Sequence, residues 1–129
     1  MINYQLTKKP KAERVFMNLN EIEILPGIKY FDDLDCARIN NNAMQPAINA
    51  GSLVFFDKYD RIFFAGGIYL CRIPDADGII VRRVFSDYRN LILKTDNKFF
   101  ESYMNYTYPK NLVKKIILAR VVKVLNNIG

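Results

Sequence analysis

Histidine is absent from this chain of 129 residues, and its absence limits the chemistry that the side chains can perform. Without an imidazole, neither a Ser-His-Asp nor a Cys-His nucleophile can be assembled, and metal sites that depend on histidine are excluded as well. The two cysteines, Cys36 and Cys71, lie far apart without a CxxC pair, which argues against a structural zinc site. We expect two buried thiols, no metal site and no cofactor.

Short apolar segments separated by Gly, Pro, Asn and Asp follow one another along the chain. This spacing is typical of a small all-β or β-dominated domain. The turn signal Asp75-Ala76-Asp77-Gly78 predicts a hairpin between the strands on either side of it. Strands are predicted at Glu21 to Ile28 (where Ile22 and Ile24 alternate with glutamates), Cys36 to Ile39, Ser52 to Asp57, Gly67 to Ile73, Ile79 to Phe85 and Leu91 to Lys94.

The remaining segments are less regular. Met44 to Ile48 is compatible with one turn of helix, and the β-branched residues of the apolar run from Val113 to Leu125 favour strand over helix. We therefore predict a single compact, mostly β domain with short helical turns over residues 21–129. Residues 1–20 are polar and basic and contain Pro10, so we expect an arm or a linker remnant there.

The formal net charge of +6 favours an anionic partner such as nucleic acid or a membrane surface. Because the basic residues are spread from Lys8 to Lys123, we interpret them as a solvated surface with a basic bias. No apolar run approaches the roughly 20 residues that span a bilayer, and the N-terminus lacks the apolar core of a secretion signal. We expect a cytoplasmic protein that does not bind membranes.

Four short motifs follow one another along residues 36–125. In order and spacing they resemble the C-terminal domain of LexA, the UmuD mutagenesis proteins and phage repressors, a β-rich dimerising domain with a Ser-Lys self-cleavage site. The motifs are Asn41-Asn42-Ala43-Met44-Gln45-Pro46 with Gly51-Ser52-Leu53-Val54, similar to the family's Gly-Asp-Ser-Met-x-Pro and Gly-Asp-x-Val; Gly66-Gly67-Ile68-Tyr69-Leu70 with Ile80-Val81-Arg82-Arg83-Val84, similar to the segment of its catalytic lysine; Leu93-Lys94-Thr95-Asp96-Asn97, similar to its Ser-Asp-Asn turn; and Ala119-Arg120-Val121-Val122, similar to its closing strand.

The resemblance implies that Ala43 stands at the position of the catalytic serine and Arg82 at that of the catalytic lysine. Ser-Lys hydrolysis needs a hydroxyl nucleophile and a lysine kept neutral by desolvation, so that its amine accepts the serine proton. The methyl group of Ala43 cannot attack a carbonyl, and the guanidinium of Arg82 stays charged. Arg83 follows directly, so a shift of one residue still places arginine there. We therefore predict an inactive site.

Further departures from the family point the same way. Self-cleaving members are cut at an Ala-Gly or Cys-Gly bond in the segment before the domain, and residues 1–35 contain neither dipeptide. The two Ala-Gly pairs, at 50–51 and 65–66, lie inside the motifs and are interpreted as turns. Asn41 and Asn42 replace the family's Gly-Asp, Ser52 its second aspartate and Gly67 the acidic residue of its Gly-Asp-x-Tyr.

The leading hypothesis is a non-catalytic oligomerisation and regulatory domain of a LexA-like or phage-type transcriptional repressor. Such a domain would form a homodimer, with Ile116 to Leu125 in a two-fold interface. DNA would be bound by a separate or missing domain. Dimerisation would raise the affinity of that domain for paired half-sites.

Two alternatives remain open. One is a Ser-Lys self-cleaving peptidase inactivated at Ala43, by nature or by engineering, with Lys94 or Lys58 as the base instead of Arg82. The other is a basic nucleic-acid-binding module, because aromatic rings can stack on bases. Its candidate rings are Phe99, Phe100, Tyr103, Tyr106 and Tyr108, for which core packing is the competing interpretation.

Overall fold

A computed structural model describes residues 21–26, 34–74, 78–100 and 104–127, and shows a mostly β fold. Eight strands form one antiparallel sheet in the order β1-β2-β3-β8-β4-β5-β6-β7. The strands are β1 Ile22–Ile24, β2 Asp35–Ile39, β3 Leu53–Asp57, β4 Gly67–Arg72, β5 Ile79–Ser86, β6 Asn90–Lys94, β7 Tyr106–Pro109 and β8 Ile117–Leu125.

The sheet curls so that the residue before β1 meets the start of β5. The backbone N–H of Glu21 donates to the carbonyl of Ile79 at 3.0 Å, although four strands, β2, β3, β8 and β4, lie between β1 and β5 in the sheet order. Bulges interrupt the pairing of β3 and of β4 with β8, and bulges increase local bend and twist. The curvature therefore carries Glu21 onto the strand that holds the two adjacent arginines.

Alternate residues of β4 and β5 pack into two different core clusters. Leu70 and Val81 join the first, whereas Tyr69 and Ile80 join the second, as the period-two alternation of a strand requires. Both faces of these central strands are therefore covered. The first cluster also contains Ile22, Ala37, Ile39, Met44, Ile48, Val54, Phe56 and Ala119, and the second Cys71, Ile73, Val84, Leu91, Leu93, Ile116 and Ile117.

The predicted strands are confirmed with small shifts of their ends, and two segments differ from expectation. Met44 to Ile48 forms consecutive turns with one helix-type hydrogen bond, from the Ile48 N–H to the Met44 carbonyl at 2.9 Å, which agrees with the single helical turn predicted there. The run that begins at Val113 starts with one α-helical turn, α1 (Val113–Ile116), before it becomes β8. β7 is a strand that the sequence did not predict. Besides α1, the described chain has two 3-10 turns, at Lys98–Phe100 and Lys110–Leu112, and none of its helices is long and apolar enough to cross a membrane.

β1 departs from its expected alternation. Ile22 is buried, but Ile24 is 42% exposed while Glu21 is only 7% exposed. The sheet curvature explains the exchange, because it brings Glu21 against β5 and leaves Ile24 at the open end of a three-residue edge strand. The predicted arm at residues 1–20 and the first three residues of the 75–78 turn lie outside the described residues.

Candidate functional site

Ala43, the residue that the motifs predict at the family's serine position, lies in the turn between β2 and β3 and is almost fully buried. Its backbone N–H donates to Asn41 Oδ1 at 3.1 Å, and its carbonyl accepts from the N–H of Asn97 at 3.0 Å. Asn97 in turn donates its side-chain amide to the carbonyl of Asn42 at 2.9 Å. The turn is therefore fixed against the segment that follows β6.

The chain end fixes the other side of the same turn. Asn126 Oδ1 accepts from Ser52 Oγ at 2.7 Å and from the N–H of Asn49 at 2.9 Å. Gly51 adopts a φ of 86° beside them. A residue that departs from the family, Ser52, thus anchors the end of β8 to the turn.

Arg82, the residue that the motifs predict at the family's lysine position, is fully buried on β5 with 0% exposure. Its Nη1 and Nη2 donate to the two carboxylate oxygens of Glu21 at 2.6 and 2.8 Å. Nε donates to the carbonyl of Met104 at 3.0 Å, Nη1 donates also to the carbonyl of Val81 at 2.7 Å, and the guanidinium lies 5.9 Å from the centroid of the Tyr106 ring. Four of its five N–H donors are thereby used.

The Arg82–Glu21 pair sets the electrostatics of this region. A guanidinium stays protonated even when it is buried, so its desolvation must be offset by a counter-charge and by hydrogen bonds. Glu21 supplies the charge in a two-pronged geometry, which is the strongest form of this contact. Burial beside the pair raises the pKa of the Cys71 thiol to about 12 and raises that of Tyr106. Among the described residues, the charged groups around Arg82 therefore form a buried ion pair.

The turn after β6 links the two family positions. The N–H of Asn97 donates to the carbonyl of Ala43, the N–H of Thr95 donates to Asn105 Oδ1 at 2.7 Å, and the carbonyl of Met104 accepts from Arg82 Nε. Ala43 and Arg82 thus flank one connected region. The hydrogen bonds of the guanidinium, however, go to Glu21 and to backbone carbonyls.

Arg83 takes part in a separate ion pair. Its Nε and Nη2 donate to the carboxylate of Asp96 at 2.9 and 2.8 Å, and its Nη1 donates to the carbonyl of Gly66 at 2.8 Å. The Asp96 carboxylate raises the pKa of the guanidinium further. Neither of the adjacent arginines can accept a proton.

The two lysines named as alternative bases are both exposed. The Lys94 ammonium lies 6.0 Å from the centroid of the Phe85 ring, and that of Lys58 lies 5.4 Å from the centroid of the Tyr59 ring. An exposed ammonium keeps its hydration, whereas a Ser-Lys base needs desolvation to become neutral. Neither lysine has the environment that this mechanism requires.

The aromatic cluster is divided between core and surface. Tyr106 and Tyr108 stack with centroids 6.3 Å apart and pack against the second core cluster. Phe99 is 87% exposed, and Tyr103 lies outside the described residues. The rings of β7 therefore serve core packing, as the competing interpretation expected.

A family model described as Peptidase S24-like matches residues 19–122, which include both family positions and Glu21. The chain belongs to the Peptidase S24-like family. This is the family of the LexA, UmuD and phage-repressor C-terminal domains that the four motifs resemble. A comparison with curated proteins found no match.

Glu21 is the residue of this site that sequence reasoning missed. The alternation of β1 placed it with Glu23 on a solvated face, and its 61-residue separation from Arg82 gives no local signal. One indirect signal was present: an arginine between the strand residues Val81 and Val84 is expected to be buried and so requires a carboxylate from elsewhere.

Proposed function

We propose that this chain is a non-catalytic oligomerisation and regulatory domain of a LexA-like or phage-type transcriptional repressor. The observation that carries the proposal is the buried Arg82–Glu21 pair. At the position where a self-cleaving relative needs a neutral amine, this chain has a permanent cation with its counter-ion already bound. The region keeps the scaffold of the peptidase and uses it for packing.

The serine position supports the same conclusion independently. Restoring a hydroxyl at Ala43 would supply a nucleophile without a base, because the arginine predicted at the lysine position cannot take the proton. The two Ala-Gly pairs of the domain are also unsuited to cleavage. Gly51 and Gly66 both have positive φ values, of 86° and 87°, and each donates its own backbone N–H to a carbonyl of another segment, which fixes its turn.

The exposed end of β8 is the surface that we assign to pairing. Ile117 and Ala119, in the first half of β8, are buried in the core, so the interface expected at Ile116 to Leu125 is reduced to the last residues. There Val124 and Leu125 are 38% and 62% exposed. The two side chains point to opposite faces of the strand, and we assign the more exposed one, Leu125, to a two-fold contact, since a C2 interface uses the same patch on both subunits.

Size-exclusion chromatography with light scattering tests the pairing. We expect a mass of twice 15.0 kDa at high micromolar concentration. Leu125→Glu should shift it to the monomer, whereas Ile62→Glu, a change at a similarly exposed residue in the β3–β4 loop, should leave the dimer intact. A wild-type chain that remains monomeric at that concentration would remove the basis of the proposal.

A further inference from the structure

A two-lobed cleft lies beside the Ala43 turn. The larger lobe has a volume of about 520 Å³ and the smaller one about 210 Å³, and both are open to solvent. They adjoin because Asp96 and Lys98 line both of them. The larger lobe is lined in addition by Gln45, Pro46, Asn49 and Asn97, and the smaller by Arg83, Phe85, Lys94 and Thr95.

The described residues that line the cleft carry a net positive charge. Arg83 and Asp96 neutralise each other in their two-pronged pair, so two cations remain, Lys94 and Lys98. Both lysines are exposed, and within the described chain no carboxylate is paired with either. The cleft therefore attracts a ligand with more than one negative charge.

The cleft is separate from the region of the family's catalytic lysine. Arg82 and Arg83 are neighbours on β5, so their side chains leave opposite faces of the strand. Arg82 goes to Glu21 and Met104, whereas Arg83 goes to Asp96 on the wall of the cleft. An occupant of the cleft would meet the Arg83 side.

We propose that this cleft binds an acidic, extended segment of a partner protein. An open, two-lobed shape does not enclose a small ligand, which a typical small-molecule pocket buries almost completely, but it accommodates a chain that passes through it. The side-chain amide of Gln45 offers both a donor and an acceptor to a peptide backbone, and the two lysines face the acidic side chains. Nucleic acid fits less well, because the ring in the lining, Phe85, is covered by the Lys94 ammonium, and the guanidinium of Arg83 is already occupied.

Fluorescence anisotropy with the labelled peptide Gly-Asp-Glu-Asp-Glu-Gly tests the proposal. We expect saturable binding that weakens with added salt and that is absent for the matched peptide Gly-Asn-Gln-Asn-Gln-Gly. The double variant Lys94→Glu/Lys98→Glu should bind about tenfold more weakly or worse, since reversing two exposed charges changes the binding energy by roughly 1.4 kcal/mol or more. Lys114→Glu/Lys115→Glu makes the same change in net charge at two exposed residues outside the cleft and should bind as the wild type does.

Three outcomes would overturn the proposal. One is no binding of the acidic peptide at millimolar concentration, and another is an equal loss in both double variants, which would mean that only net charge matters. The third is tighter binding of a single-stranded oligothymidine than of the peptide, abolished by the change at residues 94 and 98. All four substituted lysines are exposed, so a thermal melt suffices to establish that each variant is folded.

Discussion

The substitution Glu21→Gln tests the buried ion pair most sharply. It keeps the size of the side chain and one acceptor oxygen but removes the negative charge, which leaves the Arg82 guanidinium uncompensated at 0% exposure. Breaking a buried pair by removing one partner costs about 3–5 kcal/mol. For a domain of this size that corresponds to a fall in Tm of roughly 10–20 °C.

Urea denaturation of matched variants gives the measurement. Glu23→Gln is the control, because Glu23 lies two residues away, within β1, and is exposed, so its substitution should change the free energy of unfolding by less than about 0.5 kcal/mol. The double variant Glu21→Leu/Arg82→Met removes both charges and should be much more stable than Glu21→Gln, because two apolar side chains of similar volume need no compensation. The reasoning is refuted if Glu21→Gln unfolds at the same urea concentration as Glu23→Gln.

Three further outcomes are expected elsewhere in the domain. Neither thiol of the native protein should react appreciably with a disulfide reagent at pH 8, because both are buried and the pKa of Cys71 is raised to about 12, and unfolding should expose two reactive thiols; fast native reaction would contradict the burial. Gly51→Ala should lower the free energy of unfolding by roughly 1–3 kcal/mol in a urea titration, because the backbone at residue 51 has a positive φ and the added Cβ would lie 2.6 Å from Asn127 Nδ2. An unchanged urea midpoint would show that the turn adapts. Asp60→Asn should destabilise the protein at pH 6 but much less at pH 3, because the hydrogen bond from Arg120 lowers the folded pKa of the Asp60 carboxyl. The stability that this carboxylate contributes is present above its unfolded pKa of about 3.9 and is lost as the pH falls through its folded pKa. An equal difference in stability at both pH values would exclude this linkage.

The strands that could be predicted are those whose signals are local. β3, β4 and β5 are rich in β-branched and aromatic residues and are bounded by glycine or aspartate turns, and each forms where expected. β7 was missed because Tyr106–Pro109 ends in proline, which is tolerated only because this strand lies at the edge of the sheet.

The contacts of the site could not be predicted from the sequence. The order of motifs predicts that Ala43 and Arg82 stand at the family's serine and lysine positions, since a motif depends on spacing along the chain. The partner of Arg82 depends on the curl of an eight-stranded sheet, which brings the first described residue onto the fifth strand. No local pattern in β1 predicts that the sheet curls in this way. The alternation there predicted that Glu21 is exposed and Ile24 is buried, which is the reverse of what the structure shows.

Intact-mass spectrometry of the wild-type chain and of the variant Ala43→Ser/Arg82→Lys, after incubation at pH 10, tests the central claim most directly. The account predicts one uncut mass for each protein. In the wild type both the hydroxyl and the base are missing, and in the variant the Glu21 carboxylate beside the new lysine favours its charged form, which cannot accept the serine proton. Paired fragments whose masses add up to the whole chain plus one water would contradict the account: in the variant they would mean that the scaffold is a recently silenced peptidase, and in the wild type that it is still an active one.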